Sequence, residues 1–301
     1  MPSLVKEYLE YISQQIFPGN APPEFQYWTF MERFNPNNCD IKSTEISEAL
    51  YYRESKEGYK SGFNQHLKEV IKKINSQFRE QLEEDGFTQQ QLGLGEKGNP
   101  GRYTASAKSP WQIAYQWLWE IKYYRWLEDY IWENWKQKAP TNVDWIQFCH
   151  RSTEYAAKGM KIPPPLPKKT IPINTPLSLT INLDTPGSYL LLFNRGSDEQ
   201  GNTTQYLVTP SQAFAPNYQL QEKSTSIPLE EAICEDIQFE TVGKEEYIGI
   251  VIDKAVNLPW LNPNPENPIV EWEGKHLEQV WELLHNRDNW RVFYRDFHVV
   301  S

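Results

Sequence analysis

Three short stretches carry residue types that could do chemistry. Residues 93–98 read GLGEKG. That is the G-x-G-x-x-G spacing with which a strand-to-helix turn lays backbone N–H groups against a pyrophosphate. The chemistry needs a buried strand before the glycines and a helix directly after them. Here QFREQLEEDGFTQQQL (77–92) precedes them, helical and polar. NPGRYTASAKSP (99–110) follows, too rich in breakers to start a helix at once. A surface loop is therefore expected, with no nucleotide. Cys149-His150 sets a thiol beside a general base. A nucleophile and its base must face each other, whereas neighbours on a helix diverge by about 100°. Cys149 also stands at an apolar position, which suits a buried, inert thiol. The third stretch, VGKEE (242–246), has a Gly-Lys pair but lacks the earlier glycine and the following Ser or Thr of a phosphate loop.

The remaining candidates are scattered. His66, His150, His276, His285 and His298 show no HExxH or comparable ligand spacing. Cys39, Cys149 and Cys234 are odd in number and far apart, which makes neither a disulfide framework nor a zinc pattern. G-x-S-x-G and EF-hand patterns are missing. Glu83, Glu84 and Asp85 read as a solvated run. A carboxylate pair for acid–base work has no sequence signature. The residues thus point to no catalytic group, metal or cofactor, and the expectation is a protein that is not an enzyme.

Charge bears on partners. Residues 1–160 carry 19 basic and 21 acidic side chains; residues 161–301 carry 11 and 19, a balance of 11 − 19 = −8. Such a second half repels nucleic-acid phosphates and an anionic membrane surface. The opening MPSLVKEYLEYISQQIF holds Lys6, Glu7 and Glu10, unlike a signal peptide. No apolar run reaches the ~18 residues of a membrane span. The expected setting is the cytoplasm, with no nucleic acid and no membrane.

The elements that must position any site follow from periodicity. Residues 3–17 and 44–52 read as helices, and 63–85 repeats Phe63, Leu67, Val70, Ile71, Ile74, Phe78 and Leu82 on one face. Residues 109–136 hold six Trp and four Tyr between Trp111 and Trp135, after a Ser109 cap and Pro110. At helical spacing these rings form two arcs. Trp117, Ile121, Tyr124, Ile131, Trp132 and Trp135 lie on one; Trp119, Tyr123, Trp126 and Tyr130 lie on the other. Two apolar sides fit a central helix, or one covered side and one for a partner. Trp119 and Trp126 are the partner-binding candidates of the second arc. Thr141 and Asp144 resemble a capping box for a further helix to about residue 160.

Six prolines in IPPPLPKKTIPINTP (162–176) mark an extended linker, placed at 161–175. Lys168 and Lys169 stand there as candidate cleavage points for a protease with a basic preference. Beyond it the apolar period drops to two or becomes continuous. LSLTINL, SYLLLF, TQYLVT, DIQFETV, EYIGIVI and the closing WRVFYRDFHVV read as strands, and KHLEQVWELLH (275–285) as one helix. Trp260, in PWLNPNPENP (259–268), either plugs a local groove or meets a partner. The expected fold is α+β: a Trp-rich helical domain (1–160), a proline linker, and a β-sandwich-like domain with one helix (176–301).

YLLLFNRGSDEQGNTTQYLVTPSQAFAPNYQL (189–220), with its Pro210-Ser211 and Phe214-Ala215-Pro216, resembles an uncharacterised β-rich module common in cyanobacteria. FETVGKEEYIGIVIDK and the last strand are similar to its later parts, so the resemblance spans about 176–301. Residues 1–160 resemble no family. Such modules are typically appended to caspase-like proteases or signalling NTPases in conflict or stress signalling. The resemblance implies a non-enzymatic adaptor, partner or proteolytic target of such a system. This chain departs from the pattern, because a Trp-rich helical segment stands where the protease or NTPase would be. A second reading of the residues is a module that binds a peptide, sugar or hydrophobic small molecule on aromatic surfaces.

Overall fold

The computed structural model describes residues 4–19, 22–94, 108–141, 144–151, 166 and 169–301. By packing, the chain divides into two compact units, Met1–Trp126 and Leu127–Ser301.

In the first unit, apolar residues at three- and four-residue spacing form the helices. α1 (Leu4–Ile16) buries Tyr8, Leu9, Ile12 and Ile16 on one face. α2 (Glu24–Arg33) follows the PGNAPPE break, and α3 (Ser43–Glu54) follows a short turn. α4 (Gly58–Glu84) buries the whole expected row from Phe63 to Leu82. α5 (Pro110–Trp117) starts where Ser109 and Pro110 predict. The aromatic helix is not uniform, however. Leu118–Lys122 is wound as one π turn before α6 (Tyr123–Lys138) resumes. In that turn the Leu118 carbonyl accepts from Tyr123 N–H and also from the buried Tyr8 hydroxyl at 2.7 Å. Burial pushes the Tyr8 hydroxyl well above its ordinary pKa, which keeps it a donor. Just past α4, Asp85 accepts from Trp117 Nε1 at 2.8 Å and from Arg125 at 2.6 and 2.9 Å.

The division falls inside α6, ahead of the expected boundaries at residues 160 and 176. The later rings of α6 pack within the second unit. Trp132 stacks on Trp272 at 5.3 Å, and Trp135 lies 5.9 Å from Phe193.

Among its described residues the second unit has nine strands: β1 (Ile146–His150), β2 (Thr170–Pro172), β3 (Leu177–Asn182), β4 (Tyr189–Asp198), β5 (Thr203–Thr209), β6 (Ser224–Ile227), β7 (Gly243–Ile252), β8 (Val270–Glu271) and β9 (Trp290–Val300). They form a three-stranded sheet, β1-β3-β6, and a six-stranded sheet, β2-β9-β7-β4-β5-β8. Leu177, Leu179, Ile181 and Ile227 of the small sheet share one core with Leu190, Leu192, Val251, Phe293 and Phe297 of the large one. This is a sandwich. On the outer face of the large sheet lies α7 (Gly274–His285), which buries Leu277, Val280, Trp281 and Leu284. Glu128 of α6 accepts from Gly274 N at 2.8 Å, a carboxylate at the positive end of α7.

Three expectations need correction. The helix expected from Thr141 is strand β1 at Ile146–His150 instead. Ile146 and Phe148 alternate inward around exposed Gln147, and pairing with β3 overrides the local helix signal. Asp144, the supposed capping partner, bridges Arg295 at 3.0 Å. DIQFETV is no strand, although Ile237 makes an isolated bridge to Leu177. In the proline-rich stretch, Thr170–Pro172 is parallel edge strand β2 on β9, and Pro172 is tolerated at an edge. Residues 95–98 of GLGEKG lie outside the described residues, as do 152–165, 167 and 168.

The sandwich is closed tightly at Gly249. Its missing side chain leaves room for the Trp145 ring, which a Cβ there would approach to 2.7 Å. Trp145 is buried, and its Nε1 donates to Tyr294 O at 3.1 Å. Gly249→Ala is expected to lower stability by about 1–3 kcal/mol through overpacking. The urea midpoint of the purified chain measures this, and an unchanged midpoint would mean the ring is not packed there.

Candidate binding cleft

β5 ends at Thr209, and PSQAFAP (210–216) follows. Ser211 is fully buried, and its main chain exchanges two bonds with Ala215, each 3.0 Å. Its hydroxyl donates to Val208 O at 2.7 Å and accepts from Phe214 N at 3.2 Å. Thr209 Oγ1 donates to Ala215 O at 3.3 Å. Two short hydroxyl side chains thus satisfy polar groups of a loop that carries no sheet ladder. This closed loop is one wall of a cleft.

The other two walls are arms of the chain beyond Pro216. The first arm runs beside the start of β4: Leu190 N donates to Tyr218 O and Leu220 N to Ser188 O, both at 2.8 Å. The chain then turns at Glu222 and Lys223, and β6 pairs with β3 in the other sheet. Here the chain crosses from the large sheet to the small one. Between the diverging arms lies a cleft of about 260 Å³. Its floor is Ile181, Leu190, Ala215, Leu220 and Ile227, all members of the sandwich core. Its rim carries Asn217, Gln219, Gln221 and Thr225, with the exposed carboxylates Glu222 and Glu231. No Lys or Arg is among the residues lining it.

One rim is an open strand edge. Leu183 N donates to Lys223 O at 2.8 Å, in register with the β3–β6 pairing. Antiparallel pairs alternate between bonded and unbonded positions. Thr225 and Ile227 therefore turn their backbone groups to β3, while those of Ser224 and Ser226 point outward. Among the described residues no main-chain partner meets them there. The cleft thus offers an apolar floor, side-chain amides and a backbone edge. Such a surface holds an extended ligand by burial and by ladder hydrogen bonds.

The other polar clusters lie elsewhere. On β7, Glu246 accepts from Lys244 at 2.7 Å, from the Tyr294 hydroxyl at 2.5 Å and from Lys136 at 3.1 Å. Burial works to raise its carboxyl, but these bonds hold it below the usual range. It pins α6 to β7 and β9. The preceding residue, Glu245, is half-buried on the opposite face and accepts from Asn194 Nδ2 at 2.7 Å. Among the described residues no group of His, Cys, Asp and Glu could hold a metal ion.

The residues singled out from sequence are placed as follows. Trp119 is half-buried and its Nε1 donates to Phe34 O at 2.8 Å. Trp126 is buried against Tyr8, Tyr11 and Tyr123. Trp260 belongs to the second unit, where its Nε1 donates to Gln279 at 3.0 Å and its ring lies 4.5 Å from His276 on α7. Lys169 pairs with Asp296 at 3.0 Å, and its carbonyl accepts from His298 N. Lys168 lies outside the described residues. Cys149 and His150 are neighbours on a strand, so they face opposite sides. The cleft residues escaped sequence reading, except that Pro210-Ser211 and Phe214-Ala215-Pro216 mark its wall. No family model matches this chain, and comparisons with known proteins and with solved structures find no match either.

Burial raises the Glu245 carboxyl above its ordinary value, and the Asn194 bond only partly offsets this. A raised folded pKa means the folded state binds the proton more tightly. Stability therefore falls as pH rises from the unfolded value through the folded one. Glu245→Gln is expected to stabilise the chain at neutral pH, with the gain shrinking as pH falls through the raised folded value and gone below about pH 4, the ordinary glutamate value. Urea midpoints of both proteins across that range test it; a gain independent of pH would refute the assignment.

Proposed function

We propose that this chain is a non-catalytic interaction protein, an adaptor that holds an extended segment of a protein partner in the cleft beside β6. The observation that carries the reading is the meeting of an apolar floor with the unpaired edge of β6. An apolar side chain of the partner would lie on Ile181, Leu220 and Ile227, while its backbone meets Ser224 and Ser226. Ligand sites commonly combine apolar walls with a few placed polar groups. The resemblance adds the kind of system. The Pro-Ser and Phe-Ala-Pro residues that carry it build the cleft wall, and a caspase-like protease or a signalling NTPase is the partner it suggests.

Selection of a displayed random-peptide library on the purified full-length chain tests the reading. Recovered peptides are expected to bind wild type at least about tenfold more tightly than Thr225→Trp, whose ring would fill the cleft. The urea midpoint controls for folding. Peptides that bind Thr225→Trp as well as wild type would overturn the cleft as the site.

A further inference from the structure

We infer that the segment taken by this cleft is a short basic strand, with apolar residues alternating with Lys or Arg, added to the free edge of β6. The inference rests on the cleft reading above and adds the chemistry of the occupant.

Backbone geometry sets the shape. Ser224 and Ser226 each turn one N–H and one C=O outward, two residues apart along a strand. Only an extended chain presents matching groups at that repeat of about 6.8 Å. β6 has four residues, so the paired stretch is about 14 Å long.

The two faces of β6 set the alternation. Ile227 is buried and Thr225 half-buried on the cleft side, whereas Ser224 and Ser226 are exposed. A guest strand continues the same pleat. Every second side chain would lie over Leu220 and Leu229, and the others would face solvent or the rim.

Charge selects the rest. Glu222 and Glu231 stand on the rim, and none of the lining residues is a cation. The nearest lysine in sequence, Lys223, is paired with Asp184 at 2.8 Å. An acidic guest would meet two unneutralised carboxylates; a basic guest would neutralise them. The −8 balance of residues 161–301 favours the same sign at long range.

The test uses the full-length chain and three end-blocked, fluorescein-labelled peptides of about six residues, a length that spans β6. They alternate Val with Lys, Val with Glu, or Val with Gln. Fluorescence anisotropy at low and high salt reads the affinities. The Val-Lys peptide is expected to bind about tenfold more tightly than the other two, and less so at high salt. Ser226→Pro removes one outward N–H without changing charge and is expected to weaken all binding severalfold. Glu222→Lys with Glu231→Lys is expected to abolish the Lys preference.

Equal binding of the three peptides, all weakened by Ser226→Pro, would overturn the basic occupant and leave the cleft standing. A Lys preference untouched by Ser226→Pro would be diffuse attraction to an acidic chain, and would overturn the strand-addition site itself. Should Ser226→Pro fail to fold, the double charge reversal decides: a preserved Lys preference refutes the inference.

Discussion

Burial of Leu179, Ile181 and Ile227 against Leu190, Leu192 and Val251 holds three strands on six. Each such side chain is worth about 1.5–3 kcal/mol when fully withdrawn from water. The rest of the second unit follows from the mismatch in sheet size. A small sheet cannot cover a large one, so the exposed margin must be closed by something else. The closed loop from Pro210 to Pro216 and the arm from Asn217 to Gln221 do most of it. Where those two pieces and β6 fail to meet, core residues stay open to a guest. The opposite face is covered differently. There α7 and the rings of α6 lie on the sheet, with Trp132 stacked on Trp272 and Arg195 5.4 Å over the Trp132 ring.

The first unit solves a different problem, how to pack many large polar-tipped rings. Tyr8 lies within about 5 Å of Trp119, Tyr123 and Trp126, and its hydroxyl finds the Leu118 carbonyl. That carbonyl lies at the start of the π turn, where it also accepts from Tyr123 N–H. Arg33 is likewise buried. Its guanidinium donates to Ile41 O at 2.5 Å and Cys39 O at 2.9 Å, and lies 3.5 Å over the Trp111 ring. Burial lowers its pKa from the usual arginine value, and carbonyls with an aromatic face compensate.

Helical and strand periods were legible wherever one face alone is buried. α1 and α4 show this; β7 was legible instead as a continuous apolar run, buried on both faces from Tyr247 to Ile252, and β9 has the predicted ends. β1 was hidden because Trp145 and Ile146 are consecutive and both buried, which blurs an alternating pattern, while Thr141 and Asp144 imitate a helix start. β6 was hidden because STSI has a single apolar residue. The Leu118 carbonyl of the π turn is met by Tyr8, 110 residues away, a contact that no local signal encodes. The cleft shares that limit. Its floor joins Ile181, Leu190, Ala215, Leu220 and Ile227 from five separate segments, none of which reads locally as a site.

The unpaired edge of β6 also bears on solubility. A free strand edge is a template for copies of the same chain, and long flat edges lead to fibrils. This edge is only four residues long and is followed at once by Pro228. Two copies meeting there would set Glu222 and Glu231 of one against the same residues of the other, and like charges in close contact repel. Charges placed beside an exposed edge oppose such self-pairing and leave the edge open to an oppositely charged guest.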